Sequence, residues 1–274
     1  MPYSMDLQVE ELIVGYACPP GRFLRPGAGW AAMPLPVRVF LLHHPERGAF
    51  LWDTGYGPAF WRATRWPPAR LLRWLIPPRL EPQQHLTRQL KVRPSGIGLS
   101  HFHPDHTGAL SDFATTPTWV SRAEWQRVQG LGYFQALHTA HLKALYAHLR
   151  PHFFEDLPAR LWPGLEALGP GWDWFGDGSA RIFGLPGHTR GHLGLWMEHR
   201  DGPIFAVGDA YYLPEQLDGF QLPVPTRWAI EEPRMYQQTL QKLAQVRREH
   251  PDVRFIACHQ PELPGSNRSG PAQS

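Results

Sequence analysis

The stretch Ser100-His101-Phe102-His103-Pro104-Asp105-His106-Thr107-Gly108 decides how the rest of the chain is read. Three histidines and one aspartate fall within six residues, directly after the small apolar run Gly96-Ile97-Gly98-Leu99. Nitrogen and oxygen donors packed that closely suit a divalent metal such as zinc. The spacing is not helical. His101 and His103 would share one face of an extended segment, because side chains repeat there every second residue. Asp105 and His106 follow where the chain must turn, with Pro104 opposing continued regular structure. A solvated histidine-rich turn would need no further donors elsewhere, but this chain supplies them.

At 274 residues the chain has the length of one large domain. Residues 1–262 read as a single unit, followed by a disordered Pro/Gly/Ser-rich tail over 263–274. A chain of this size buries roughly 75% of its unfolded surface, so its core needs no covalent staple. The two cysteines, Cys18 and Cys258, make no disulfide framework, which fits a reducing compartment. Cys258 alternates away from His259 on a strand and reads as a small core residue. Residues 1–10 carry acidic and polar side chains and no uninterrupted apolar core, so they are not a secretory signal. No apolar run reaches the roughly 20 residues of a membrane span. A soluble cytoplasmic protein, without stable membrane insertion, is the expectation. The formal net charge of +3 is spread over mixed acids and bases with no long basic block, which argues against nucleic acid as a partner. The 12 tryptophans and 14 phenylalanines can line an apolar substrate pocket as well as fill a core.

Runs rich in branched and aromatic residues predict strands over 7–16, 37–43, 49–52, 96–99, 118–120, 172–175, 180–185, 193–199, 204–207 and 253–257. The Pro/Gly-rich residues 19–36 must be a loop. Turns at Gly176-Asp177-Gly178 and Asp201-Gly202 close two hairpins. Helical spacing is present over 82–92, with Leu86 and Leu90 inward, and over 133–149, with Leu137, Leu142, Leu145 and Leu149 apolar. A third helix over 233–250 starts at Pro233 and turns Leu240, Leu243 and Val246 inward. Ser121 can cap a further helix, with Glu124 three residues on. His138, His141 and His148 lack a carboxylate partner at suitable spacing and read as a surface or interface feature. Residues 60–80 interleave Trp61, Trp66 and Trp74 with Arg62, Arg65, Arg70, Arg73 and Arg79. The pairs Pro67-Pro68 and Pro77-Pro78 confine any helix there to 69–76. We read it as a lid or a homodimer contact with arginine stems over apolar surface, rather than a membrane-surface patch.

Five of these strands finish in isolated polar residues: Asp53, His101 with His103, His188, Asp209 and His259. Strand ends collect the chemistry in layered α/β architectures, because loops there are free to carry it on a rigid scaffold. With the opening cluster the set reaches five histidines and two aspartates, enough for two adjacent metals. Asp53, where a strand meets the turn Asp53-Thr54-Gly55, is placed to reach across to that site.

These residues resemble the ligand set of the metallo-β-lactamase superfamily. The resemblance rests on His101-x-His103-x-Asp105-His106, then Gly187-His188-Thr189, Gly208-Asp209 and His259, with the early strand that ends in Asp53-Thr54-Gly55. It runs from about residue 9 to residue 259. The family implies an α/β fold, an αββα sandwich of two mixed sheets flanked by helices, with the metals at one edge. It implies that His101, His103 and His188 bind one metal and that Asp105, His106 and His259 bind a second. Asp209 would bridge both, with Asp53 and Thr189 supporting the ligands from behind. Zinc is the first choice, and iron, manganese and cobalt also suit mixed nitrogen and oxygen donors.

Branches of the superfamily separate on particular residues. β-Lactamases carry a cysteine where Asp209 stands, and flavo-diiron oxidases a glutamate at the position of His103. Thioesterases of the glyoxalase II type add a helical domain, whereas here fifteen residues follow His259. RNA-processing members carry a basic arm that is not found. What remains is similar to the N-acyl homoserine lactone lactonases, which have a long insertion between His106 and His188 and a tyrosine three residues after the bridging aspartate, here Tyr212. The expected activity is hydrolysis of a lactone or related ester, a small-molecule substrate, by a metal-bridging hydroxide. Tyr212 would polarise the carbonyl and Asp105 would shuttle a proton to the leaving alkoxide. Aromatic residues in 15–30, 61–74 and 133–134 would form the acyl-chain pocket. A phosphotriesterase or arylesterase with the same metals is the main alternative, followed by a glyoxalase II-type thioesterase or a redox di-iron member.

Overall fold

Alternation along the strands sets the layering of this molecule. The computed structural model describes residues 7–227 and 229–261, so the tail expected over 263–274 lies outside the described residues. Seven strands, β1 (Gln8–Ala17), β2 (Leu35–His44), β3 (Gly48–Trp52), β4 (Pro78–Arg79), β5 (Gly96–Gly98), β6 (Thr118–Val120) and β7 (His152–Phe153), form one sheet in the order β4-β1-β2-β3-β5-β6-β7. Six more, β8 (Ala159–Arg160), β9 (Gly171–Asp173), β10 (Ala180–Gly184), β11 (Leu193–Met197), β12 (Ile204–Gly208) and β13 (Arg254–Ala257), form the second in the order β13-β12-β11-β10-β9-β8. Both sheets are mixed. The first is antiparallel through β3 and parallel from β3 to β7, and the second is antiparallel except where β13 joins β12.

Side-chain parity divides the interior into three cores. Phe40 and Leu42 of β2 and Phe50 and Trp52 of β3 meet Ile182, Leu195 and Ile204 of the facing sheet. Their sequence neighbours Val39, Leu41 and Leu51 point the other way, onto Leu86, Leu110, Val128 and Leu145. In the second sheet Phe183, Trp196, Phe205 and Val207 face outward onto Tyr236, Leu240, Leu243 and Val246 of the helix Pro233–Glu249. The result is helices, sheet, sheet, helices, the αββα sandwich. Burying each such side chain is worth about 1.5–3 kcal/mol. A one-residue slip would exchange the faces of a whole strand, so register is strongly specified.

Three helices differ from expectation. The segment 82–92 forms a 3-10 turn Pro82–Gln84 and a separate single turn Leu86–Gln89, because His85 leaves the helical region between them. The segment 69–76 is likewise a 3-10 turn Ala69–Leu71 followed by Leu72–Leu75. No residue of Leu72–Leu75 is buried, and Trp74 is 70% exposed. The long helix expected over 133–149 stops at His138 and resumes only as the 3-10 turn Lys143–Leu145. Between them Ala140 takes a left-handed φ of 56°, and His141 turns inward. Among the described residues no helix is long and apolar enough to cross a membrane.

Strand direction then delivers the polar ends to one edge. β3 and β5 run parallel in the first sheet, and β10, β12 and β13 share a direction in the second. The sheets are stitched where Leu193 N–H donates to the Ser100 carbonyl at 2.9 Å.

Candidate metal centre

Asp53 closes β3 with a left-handed φ of 65°, a conformation uncommon for a residue with a side chain and concentrated at functional sites. That geometry turns its buried carboxylate onto the histidine cluster. Oδ1 accepts from Ser100 N–H at 2.8 Å, and Oδ2 accepts from the Ser100 hydroxyl and from His106 Nδ1–H, both at 2.8 Å. Thr54 completes the stitch, its N–H and hydroxyl donating to the His106 carbonyl at 2.9 and 2.8 Å. The residues of the cluster then diverge: Pro104–Thr107 is a single helical turn, which separates Asp105 and His106 from the extended His101 and His103.

The backbone and side-chain partners decide which nitrogen of each ring is free. A carbonyl can only accept, so His259 Nδ1–H donates to Pro36 (3.0 Å) and His103 Nε2–H to Thr139 (3.1 Å). His106 Nδ1–H is spent on Asp53. Because the Ser100 hydroxyl hydrogen goes to Asp53, its oxygen accepts from His101 Nδ1–H at 3.0 Å. The remaining ring nitrogens, Nε2 of His101, His106, His188 and His259 and Nδ1 of His103, converge. His103 Nδ1 lies 3.0 Å from His101 Nε2 and 2.9 Å from His188 Nε2, and His188 Nε2 lies 3.4 Å from Asp209 Oδ2. On the other side His259 Nε2 is 3.0 Å from Asp105 Oδ2 and 3.4 Å from Asp209 Oδ2, while His106 Nε2 is 3.5 Å from Asp209 Oδ1. Donors bound about 2.0–2.1 Å from a tetrahedral zinc stand about 3.4 Å apart, close to these separations.

Among the described residues two donor groups share Asp209, and a third, His103 with His141 and Glu231, does not. The donor atoms of His101, His103, His188 and Asp209 lie within 4.8 Å of one another, as do those of His106, Asp209, Cys258 and His259. His106 Nε2 and Asp209 Oδ1 are buried with no hydrogen-bond partner. Leaving such atoms unsatisfied costs about 1–3 kcal/mol each, and a cation between them removes that cost. The residues fit a pair of divalent ions.

Electrostatics differ between the groups. Burial holds His101 and His188 well below the ordinary histidine range, and burial with His141 alongside brings His103 down to about 3. These imidazoles are neutral and ready for a cation. At His106 and His259 burial opposes the charge, but the surrounding carboxylates, Asp53 foremost at His106 and Asp209 foremost at His259, together outweigh it and hold both above the ordinary range. Burial likewise opposes ionisation of Asp105, yet His106 and His259 draw it down to about 2. The second group carries protons that a metal would displace.

Other expected residues fall as follows. Tyr212 stacks on His259 with ring centroids 6.0 Å apart, and its hydroxyl lies 3.3 Å from His188 Nδ1. Thr189 is buried without a close hydrogen-bond partner, near enough to Glu124 to help hold that carboxyl ionised. Cys258 is buried as expected, 3.7 Å from the Arg38 carbonyl, but its sulfur also borders the second group. His138 and His148 are exposed. His141 corrects the expectation of a surface histidine: it is buried against Glu124 and His103. Ser121 caps the helix Arg122–Gly130 by accepting from Glu124 N–H, yet the Glu124 carboxylate turns inward instead of back to the cap.

Three further residues escaped sequence reasoning. His192 Nε2 accepts from Asp209 N–H at 3.0 Å and fixes the shared aspartate. Arg38 is buried on β2 and donates to the carbonyls of Ala257, Cys258 and Gln260, clamping the turn that carries His259. Ser100 holds His101 and Asp53 together. Only His192 left a sequence trace, as the second Gly-His pair at Gly191-His192.

A sandwich whose edge gathers two histidine–aspartate groups defines a metal-dependent hydrolase. The chain belongs to the metallo-β-lactamase superfamily, whose model matches residues 32–259. A "probable metallo-hydrolase" of Mycobacterium tuberculosis is 28% identical over 245 residues, covering 81% of this chain and 74% of that protein. An N-acyl homoserine lactonase of Azorhizobium caulinodans is 26% identical over 196 residues, covering 69% of this chain and 70% of that protein. A solved structure of an N-acyl homoserine lactone hydrolase, with N-hexanoyl-L-homoserine bound at its catalytic metal center, matches with a TM-score of 0.70 at 19% identity. It covers 93% of this chain and 94% of that one.

Proposed function

We propose that the protein is a dinuclear metal-dependent lactonase that opens N-acyl homoserine lactones or related lactones. The observation that carries this reading is the pair of donor groups meeting at Asp209, with the Tyr212 hydroxyl beside them. His101, His103 and His188 would hold one ion and Asp105, His106 and His259 the other, with Asp209 on both. Bound ions of this kind, zinc foremost, supply Lewis acidity and bring the pKa of a bound water towards ~7.

The chain's own groups position and protonate. Burial, and Asp209 beside it, push the Tyr212 hydroxyl well above its ordinary range, so it keeps its proton. With Nε2 of His188 turned to the donor group, Nδ1–H donates to the Tyr212 oxygen and leaves the phenol hydrogen free for the carbonyl oxygen of a lactone. A donor aimed where negative charge develops favours the transition state over the ground state. Asp105 is ionised at neutral pH and stands at the second group, where it can receive a proton and return it to the leaving alkoxide.

An acyl chain would fit beside the site. A cavity of about 280 Å³ is walled mainly by Ala63, Ala69, Tyr133, Ala136, Leu137 and Leu142, with Lys143 at its border, and reaches His141, whose ring lies 4.9 Å from His103. Its apolar walls suit a hydrocarbon tail and not a polar leaving group. The lactonase activity named for the Azorhizobium relative supports the same substrate class.

Metal-loaded protein assayed in parallel on short- and long-chain acyl homoserine lactones, paraoxon and an aryl ester tests the reading. The lactones should give the highest kcat/KM. A preference for paraoxon or the aryl ester would replace the lactonase by an esterase of the same superfamily.

A further inference from the structure

We infer that Glu124, acting through His141, is a positioning residue for the first donor group, and that it sets the metal affinity of that group alone. The inference rests on the dinuclear reading above. Glu124 is 1% exposed and His141 2% exposed, and neither has a part in the proposed chemistry. A carboxylate at that depth costs several kcal/mol unless its surroundings repay it. Its partners show what it repays with.

One carboxylate oxygen, Oε2, accepts from Gly191 N–H at 2.8 Å, on the turn that carries His188 and His192. The other, Oε1, faces His141 Nε2 at 3.8 Å, and neither of these two atoms has a hydrogen-bond partner elsewhere. His141 Nδ1 in turn lies 3.0 Å from the Thr139 hydroxyl, and the Thr139 carbonyl accepts His103 Nε2–H. One buried side chain thus ties the loop of His188 to the segment that orients His103. Burial opposes its ionisation, but His141 and Gly191 outweigh burial and keep the carboxyl below its ordinary range.

Two features of the backbone shape this arrangement. A Cβ on Gly191 would stand 2.4 Å from Glu124 N, so the helix start and the His188 turn touch main chain to main chain. The left-handed Ala140 that ends the helix Tyr133–His138 is what brings His141 inward, and such a conformation persists only where its surroundings over-determine it. The second donor group does not touch Glu124 or His141 and is held by Asp53, which also reaches His101 through Ser100, by the Pro36 carbonyl and by Arg38.

The test compares zinc-loaded wild type with Glu124→Gln, which keeps shape and an acceptor for Gly191 but removes the charge. Metal per chain is read after equilibration with a graded series of chelator concentrations. Cobalt-loaded samples are followed through their hyperfine-shifted imidazole N–H resonances, which come from His101, His103 and His188 in one group and from His106 and His259 in the other. Wild type should hold two ions. The variant should release one at an about 10–100-fold lower chelator concentration, losing the first group's resonances while the second group's stay. Equal retention of both ions, or loss of both together with a fall in the unfolding midpoint, would overturn the inference. If Glu124→Gln does not fold, His141→Gln read in the same way decides. Fewer than two ions in wild type would instead sink the dinuclear reading.

Discussion

Asp209 is the residue that both donor groups share, and His106 Nε2 is buried beside it without a hydrogen-bond partner. Asp209→Asn or His106→Ala should lower metal content to one ion or fewer per chain and reduce hydrolysis by at least about 100-fold; a variant that keeps two ions and full turnover would remove the residue from the site. Tyr212→Phe is a different kind of change. It should keep both ions while lowering kcat by about 100-fold or more, as loss of a transition-state donor does. Unchanged kinetics would leave Tyr212 as a wall beside Tyr211. His106 and Asp209 stood out in the sequence because histidines and aspartates at strand ends are chemically conspicuous, whereas Tyr212 came only from the family resemblance. Glu124 and His141 did not stand out. Their meaning lies in contacts with Gly191 and His103, 67 residues away in the first case, and no local periodicity encodes such a contact.

Among the elements, β2, β3, β10, β11 and β12 could be read from short runs of branched and aromatic residues, because strands buried on both faces are apolar nearly throughout. The helix expected over 133–149 could not. Its leucines step by five from Leu137 to Leu142, and the break between them is set by the burial of His141, a tertiary demand that overrides local propensity. Arg38 shows the same limit in a strand: it clamps the end of β13 through contacts 219 and 220 residues away in sequence. Arg38→Met should therefore loosen the His259 turn. The expected outcome is about 3 kcal/mol less stability in urea unfolding and an about 10-fold weaker hold on one of the two ions in a chelator titration. A variant with wild-type affinity for both would show that Arg38 serves β13 but not the site.

The whole molecule stores its chemistry as buried titratable groups, and its stability should report them. In metal-stripped protein burial holds His103 at about 3 and His192 at about 4, against 6.5 for an ordinary histidine. Between those values the unfolded chain binds more protons than the folded one, so stability falls as pH drops through that window. His101 and His188 are shifted in the same direction. His106 and His259 are raised, so the stability they add is fully present below 6.5 and is lost as pH rises through their folded values. Glu231, raised to about 7 by burial, acts in the same sense as His106 and His259, yet the four lowered imidazoles outnumber these three, and the urea midpoint of stripped protein should be lower at about pH 5 than at about pH 7.5. A higher midpoint at the acid end would contradict that balance.

If Asp209 joins two donor groups that load two ions, hydrolysis of lactones depends on those ions. Metal analysis of the purified protein, coupled to an acyl homoserine lactone assay before stripping, after stripping and after reloading, decides this. Two ions per chain are expected, with activity lost on their removal and restored when they return. Stripped protein that opens the lactone ring as fast as the reloaded form would contradict it.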